Sequence, residues 1–204
     1  MTSDDRTTPS PAGATTPAPA NAAANPASGE RLSRAVITGP LGGLTLIVSD
    51  VGLRALLWPD EPVGRVPSAG LATEQRDRDI VDPRHRPLID DARDQIEEYF
   101  AGTRLVFDLP LDPVGTPFQC EVWNVLRSIP YGATMSYGEQ ARQLGDVNKA
   151  RAVGAANGRN PISIIVPCHR VVGSNGSLTG FAGGVEAKRW LLDHERRVSG
   201  RTLC

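Results

Sequence analysis

The sequence predicts an α+β protein of two domains: a small sheet with one helix, then a domain built around a helix-turn-helix. Three observations predict it. Between residues 33 and 58, short apolar runs are separated by Gly-containing turn signals. Between residues 88 and 100, apolar side chains recur at helical spacing. Beyond residue 115, two capping boxes open separate helices.

The elements follow in order. Residues 1–32 form an Ala/Pro/Thr-rich tail whose first 30 residues contain no Val, Ile, Leu, Phe, Tyr or Trp. Such a segment cannot bury enough apolar surface to offset its ordering entropy, so disorder is expected. It has no apolar core of a secretory signal, and no later run approaches the length of a membrane span. Ala35 to Thr38, Leu44 to Ser49 and Leu53 to Trp58 read as strands, with turns at Gly42-Gly43 and Asp50-Val51-Gly52. Residues 59 to 87 are rich in Pro, Arg and Asp and read as surface connection. Leu88 to Phe100 reads as a helix stopped by Gly102, and Leu105 to Leu109 as one more strand. The first domain is thus 33–110, and 111–115 is a linker.

The second domain, 116–198, begins with Thr116 and Gln119 at capping-box spacing and Pro117 at the first helical position. Ser136 and Glu139 open a second helix running to about Leu144. A third, from Lys149 to about Asn157, completes the helix-turn-helix outline. It sets cations beside very small residues, which suits close approach to a groove, and Arg151 can stack on or insert between bases. A Gly-rich loop, Thr179 to Gly184, leads to a last helix from about Val185 to Arg197, and 199–204 is a tail.

Net charge is −1, which argues against a generic nucleic-acid binder, but the charge is uneven. Residues 1–110 carry 11 basic and 16 acidic side chains, and residues 111–204 carry 11 basic and 7 acidic. That asymmetry points the second half toward an anion. Cys120, Cys168 and Cys204 are odd in number and widely spaced, neither a disulfide framework nor a zinc pattern. A reducing cytoplasm is the expected compartment, and no metal is expected.

Cys168 stands between Pro167 and His169, at the end of the apolar run Ile164-Ile165-Val166. That β-branched run reads as a short buried strand holding the sulfur at its end. His169 and Arg170 could lower the thiol pKa. An inert buried cysteine is the competing reading. In extended chain, Cys168 and His169 would point to opposite faces, so a water bridge or a sharp turn is needed to couple them.

Pro167-Cys168-His169-Arg170, with Asn160-Pro161 before it and Gly183-Gly184 and a helix ending His194-Glu195 after it, closely resembles the O6-alkylguanine-DNA alkyltransferases, also called methylated-DNA–protein-cysteine methyltransferases. The likeness runs from about Thr116 to Glu195, and more loosely back to Arg34. It implies an N-terminal ribonuclease-H-like domain and a C-terminal winged-helix-like domain. It implies single-turnover transfer of an alkyl group from O6-alkylguanine, and less readily O4-alkylthymine, to Cys168. In that scheme His169 deprotonates Cys168 through a water, Glu195 orients His169, and Asn160 braces the loop. Tyr137 donates to the guanine ring, and Arg151 fills the gap left by the flipped base. Lys149, Gly154, Ala155 and Ala156 lie against the minor groove of double-stranded DNA. The carbonyls of Cys168 and Val171 read the exocyclic amine of guanine, and Phe181, Ala182 and Gly183 belong to the substrate-binding loop. No cofactor is implied, and a monomer is expected. Several relatives have Tyr and Ser where this chain has Phe181 and Ala182, which removes two hydroxyls that could contact the lesion. A lesion-sensing module without chemistry, a transcription activator and a cysteine hydrolase are the alternatives. Cys168 counts against the first, the absence of a cysteine cluster against the second, and the absence of evident oxyanion donors against the third.

Overall fold

The computed structural model describes residues 31–60, 65–66 and 79–200. The expected tail up to residue 30, part of the 59–87 connection and Cys204 lie outside the described residues. Three antiparallel strands, β1 (Leu32–Gly39), β2 (Gly42–Ser49) and β3 (Leu53–Leu57), form a sheet in that order. The β1–β2 hairpin turns at Pro40-Leu41 rather than at Gly42-Gly43. Gly42 instead pairs with Gly39 as the first residue of β2, at a φ of 97° that favours glycine. Helix α1 (Arg86–Ala101) starts two residues before the expected Leu88 and ends at Gly102, which is left-handed with φ 79°. Its inward stripe, Ile89, Ala92, Ile96 and Tyr99, packs into the same core as Leu44, Leu46 and Leu56.

The expected strand at Leu105 to Leu109 does not form. Leu105 and Val106 are exposed, and only Leu109 and part of Phe107 reach the core, so little of the run is docked. The free edge of β3 is used by other segments. Leu53 N–H donates to Pro110 O at 2.8 Å, and Asp112 N–H donates back to Leu53 O at 2.9 Å. Further along the same edge, Leu56 N–H donates to Pro161 O at 2.9 Å and Ser163 N–H to Leu56 O at 3.2 Å. The first sheet thereby holds the segment that leads to Cys168.

Helices α2 (Pro117–Arg127), α3 (Tyr137–Gln143) and α4 (Ala150–Asn157) follow, α4 being preceded by a single 3-10 turn over Val147–Lys149. Both expected capping boxes are present: Thr116 with Gln119, and Ser136 with Glu139. Buried Gln140 and Asn157 pair their amides, and Gln140 also donates to Val122 O at 3.1 Å. That network ties α2, α3 and α4 together. Two-residue strands β4 (Met135–Ser136) and β5 (Val171–Val172) pair in parallel. Helix α5 (Gly184–Val198) closes the chain. Among the described residues, no helix is long and apolar enough to cross a membrane.

Candidate active site

The buried run before Cys168 is not a strand. Ile162 makes one isolated bridge to Leu56, and the chain then turns, with Val166 N–H donating to Ile162 O at 2.9 Å. Ile164 sits at φ 73°, the one non-glycine residue with positive φ among the described residues. A β-branched residue there carries about 1–3 kcal/mol of strain, and its full burial helps hold it. Continuous burial fits a core strand and a packed turn equally well, which is why the pattern misleads. Cys168 opens a 3-10 turn, Cys168–Arg170, anchored upstream by the Leu56 bridge and downstream by β5 on β4. The chain thus turns sharply at Cys168.

Asn160 clamps this loop from inside. Its Nδ2 donates to Val166 O at 2.7 Å and to Cys168 Sγ at 3.2 Å, while its Oδ1 accepts from Ile162 N–H at 3.0 Å. Burial pushes the Cys168 thiol above its ordinary pKa, and Asn160, Lys188 and Arg65 pull the other way without cancelling it. This corrects the expectation that His169 and Arg170 lower it. Arg170 is instead turned onto Glu195, through Nε and Nη2 at 3.0 and 2.9 Å.

His169 and Glu195 are both fully buried, with His169 Nε2 2.8 Å from Glu195 Oε1. Burial alone would raise the Glu195 carboxyl, but hydrogen bonds and charge from His169 and Arg170 hold it well below the carboxylate range. An ionised carboxylate only accepts, so Nε2 carries the imidazole proton. Burial lowers the His169 pKa against the opposing pull of Glu195, which leaves a neutral ring at pH 7. Its Nδ1 is buried without a protein hydrogen-bond partner. That nitrogen is the basic one.

A cavity of about 680 Å³ is lined among others by Arg65, Tyr137, Arg151, Gly154, Phe181 and Ala182. Cys168, Asn160, His169 and Glu195 do not line it, and Phe181 against His169 and Arg65 on Asn160 O connect it to them. Its size is in the range of small-ligand sites. The Tyr137 hydroxyl donates to Thr179 O at 3.3 Å, and burial raises its pKa, so it is a phenol at pH 7. The Phe181 ring makes edge contacts with Trp58 at 5.4 Å and His169 at 6.4 Å. Gly154 lies against the Tyr137 ring, 3.7 Å from where its Cβ would stand.

Other expected site residues fall elsewhere. Lys149, Arg151 and Ala155 share the exposed face of the 3-10 turn and α4. Ala156 does not: it is buried, and its carbonyl accepts from Trp123 Nε1 at 2.9 Å, so it packs α4 onto α2 instead of facing a groove. Gly183 is absent from the cavity lining, and a Cβ there would meet the Trp58 indole at 2.5 Å. It is a close-packing glycine. Val171 is fully buried in β5, and the Cys168 carbonyl already accepts from its N–H. Cys120 is buried in the core.

The sequence reading missed four contributors. Tyr99 donates to Glu195 Oε1 at 2.9 Å, and Gly132 N–H to Oε2 at 3.0 Å. Lys188 is fully buried, with Nζ donating to Thr179 O at 2.9 Å. Arg65 Nη1 donates to Gly158 O and Asn160 O at 2.8 and 3.0 Å. Lys188 had a signal: with Leu191, Leu192 and Glu195 it places two charges on the apolar stripe of α5. The other three had none, because their partners are distant in sequence.

A thiol braced by an amide, beside a neutral imidazole tied to a buried carboxylate, defines a protein whose chemistry runs through a cysteine nucleophile. Residues 32–113 match the 6-O-methylguanine DNA methyltransferase ribonuclease-like domain, and residues 117–197 match the DNA binding domain of the same name. The chain is 46% identical over 167 residues to the methylated-DNA–protein-cysteine methyltransferase of Shigella flexneri, covering 81% of this chain and 96% of that one. It is 45% identical over 154 residues to that of Mycolicibacterium paratuberculosis, covering 71% and 93%. Among solved structures, Mycobacterium tuberculosis OGT in complex with DNA matches with TM-score 0.68 and 44% identity, over 80% of this chain and 92% of that one. The O6-methylguanine methyltransferase of the same organism matches with TM-score 0.65 and 42% identity, over 82% and 94%. The chain belongs to the methylated-DNA–protein-cysteine methyltransferase family.

Proposed function

We propose that this protein repairs DNA by moving an alkyl group from guanine O6 onto Cys168 Sγ, once per molecule. The observation that supports it most is the joint geometry of Cys168, Asn160, His169 and Glu195 described above. Displacement at an sp³ carbon needs a soft nucleophile in line with the leaving oxygen, and a thiolate suits it. The S–C bond forms, the C–O6 bond breaks, and its electron pair stays on guanine. The thiol proton passes through a water to His169 Nδ1, guanine takes one proton onto its ring from solvent, and the imidazolium returns its proton to solvent. Alkyl group and proton have then exchanged places, and the balance is complete without a cofactor. Tyr137 supports the leaving base as a hydrogen-bond donor once its hydroxyl turns from Thr179 O. The thioether product is a poor leaving group, hence the single turnover.

DNA is the partner. Residues 33–110 and 116–198 act as two domains joined at 111–115. The helix-turn-helix meets the minor groove through Lys149, Arg151, Gly154 and Ala155. The alkylated base leaves the stack for the cavity, at a cost of a few kcal/mol, and Arg151 offsets that by filling the gap. Phe181 and Ala182 close over the base by apolar contact, where a hydroxyl is lacking. O4-alkylthymine is a slower substrate. The protein acts as a cytoplasmic monomer.

Intact mass before and after incubation with duplex DNA carrying O6-methylguanine tests this. One added methyl on the Cys168 peptide, and none on Cys168→Ser, is expected. Methylation of the Cys168→Ser protein, or of another residue in the wild type, would sink the assignment.

A further inference from the structure

Tyr99 belongs to α1, in the first half of the chain, and is fully buried 96 residues away from Glu195 in sequence. Its ring packs against Phe100, Phe107, Tyr131 and His194. Phenylalanine would satisfy that packing. The hydroxyl is a separate matter, since a buried hydroxyl costs free energy unless it is bonded. Here it donates to Glu195 Oε1 at 2.9 Å. The same oxygen accepts from His169 Nε2 at 2.8 Å and Arg170 Nη2 at 2.9 Å. Oε2 accepts from Arg170 Nε and from Gly132 N–H, both at 3.0 Å. An ionised carboxylate offers about four lone-pair sites. Five donors converge on them, so each weakens the hold on the others.

We propose that Tyr99 is a positioning residue for alkyl transfer, setting from the other half of the chain how tightly Glu195 holds the His169 imidazole. It touches neither the cavity nor the thiol and acts only through Glu195. The proposal rests on His169 serving as the base for Cys168. The charged and titratable groups around this network are few. Glu195, Arg170 and Lys188 face His169. Tyr99, Tyr131, His169 and Arg170 face Glu195. Glu195, Arg170 and Tyr131 face Tyr99, with the His194 ring alongside.

The test is Tyr99→Phe, compared with wild type in single-turnover methyl transfer from a duplex oligonucleotide across about pH 4 to 8, extended to acid because burial sets His169 below the ordinary histidine range. Removing the hydroxyl frees acceptor capacity on Oε1 for His169 Nε2, which favours the imidazolium. The half-maximal rate should move to higher pH by about half a unit, so that the variant is about threefold slower at the acid end and converges with wild type at the alkaline end. NMR titration of the His169 ring should show the same displacement without turnover. Tyr131→Phe is the control, because the Tyr131 hydroxyl has no protein hydrogen-bond partner. Its profile should overlay wild type. A Tyr99→Phe profile and ring titration that overlay wild type, with only thermal stability lowered, would make Tyr99 a packing residue and overturn the proposal. So would an equal displacement in Tyr131→Phe. A wild type that transfers no methyl group overturns the underlying functional reading, and this proposal with it. Normal wild-type transfer beside an unshifted Tyr99→Phe overturns this proposal alone.

Discussion

Glu195→Gln keeps the side-chain shape and removes the charge on which the site is built. Glu195 is fully buried and accepts from Tyr99, Gly132, His169 and Arg170. Gln has one acceptor oxygen and an NH₂ that must face existing donors. Arg170, itself buried, loses its counter-ion, while Nη1 stays bonded to Ile129 O at 2.6 Å. Removing one partner of a buried ion pair costs about 3–5 kcal/mol, a large part of the roughly 5–15 kcal/mol that holds a domain folded. The pH dependence has a defined sign. The folded carboxyl is depressed, burial being outweighed by His169 and Arg170, so its stabilisation is present above the unfolded pKa of about 4.3 and fades as pH falls below it. Urea unfolding should show the full gap between wild type and Glu195→Gln at neutral pH and a shrinking gap below about pH 4. Methyl transfer should fall by about a hundredfold at neutral pH, since a general base contributes on that order. A variant within about 1 kcal/mol of wild type at neutral pH, or a gap that is unchanged in acid, would refute the account of Glu195 as the paired charge.

Two further substitutions separate support from chemistry. Asn160→Ala removes bonds to Val166 O, Ile162 N–H and Cys168 Sγ. The thiol should titrate at still higher pH, read from its rate with a small electrophile, and unfolding should cost about 1–3 kcal/mol less; an unmoved thiol titration would count against the amide–sulfur contact. Gly183→Ala places a Cβ 2.5 Å from the Trp58 indole at an ordinary φ of −80°, so the penalty is overpacking and not backbone strain. A loss of about 1–3 kcal/mol in denaturant is expected, and a change under about 0.5 kcal/mol would remove Trp58 as the reason for this glycine.

What was legible in the chain follows the range of the forces involved. Thr116/Gln119, Ser136/Glu139 and Gly102 act within four residues, and each sits where its local chemistry puts it. Cys168, His169, Asn160 and Glu195 were legible as motif residues, and the structure brings them together. The shape of the loop was not. Ile162 to Val166 is buried throughout, Ser163 included, and burial does not distinguish a strand from a turn that lends one bridge to Leu56. The electrostatics depart from the sequence pattern for a related reason. Adjacency in sequence suggested His169 and Arg170 as the groups acting on the thiol, whereas Lys188 and Arg65 reach it through the fold.

The first half of the chain is part of the reactive site. The β3 edge holds Pro161 and Ser163, Trp58 backs Phe181 and dictates Gly183, and Tyr99 reaches Glu195. These contacts explain how one thiol can be both inert and reactive. Burial keeps Cys168 protonated at neutral pH, so a diffusing electrophile meets a weak nucleophile. The neutral His169 ring keeps on Nδ1 a lone pair with no protein hydrogen-bond partner, and under the proposed function it takes that proton only where a substrate and a bridging water complete the path. A cysteine that can be used once must not be spent on the wrong partner, and a raised thiol pKa beside a preformed base achieves that restraint.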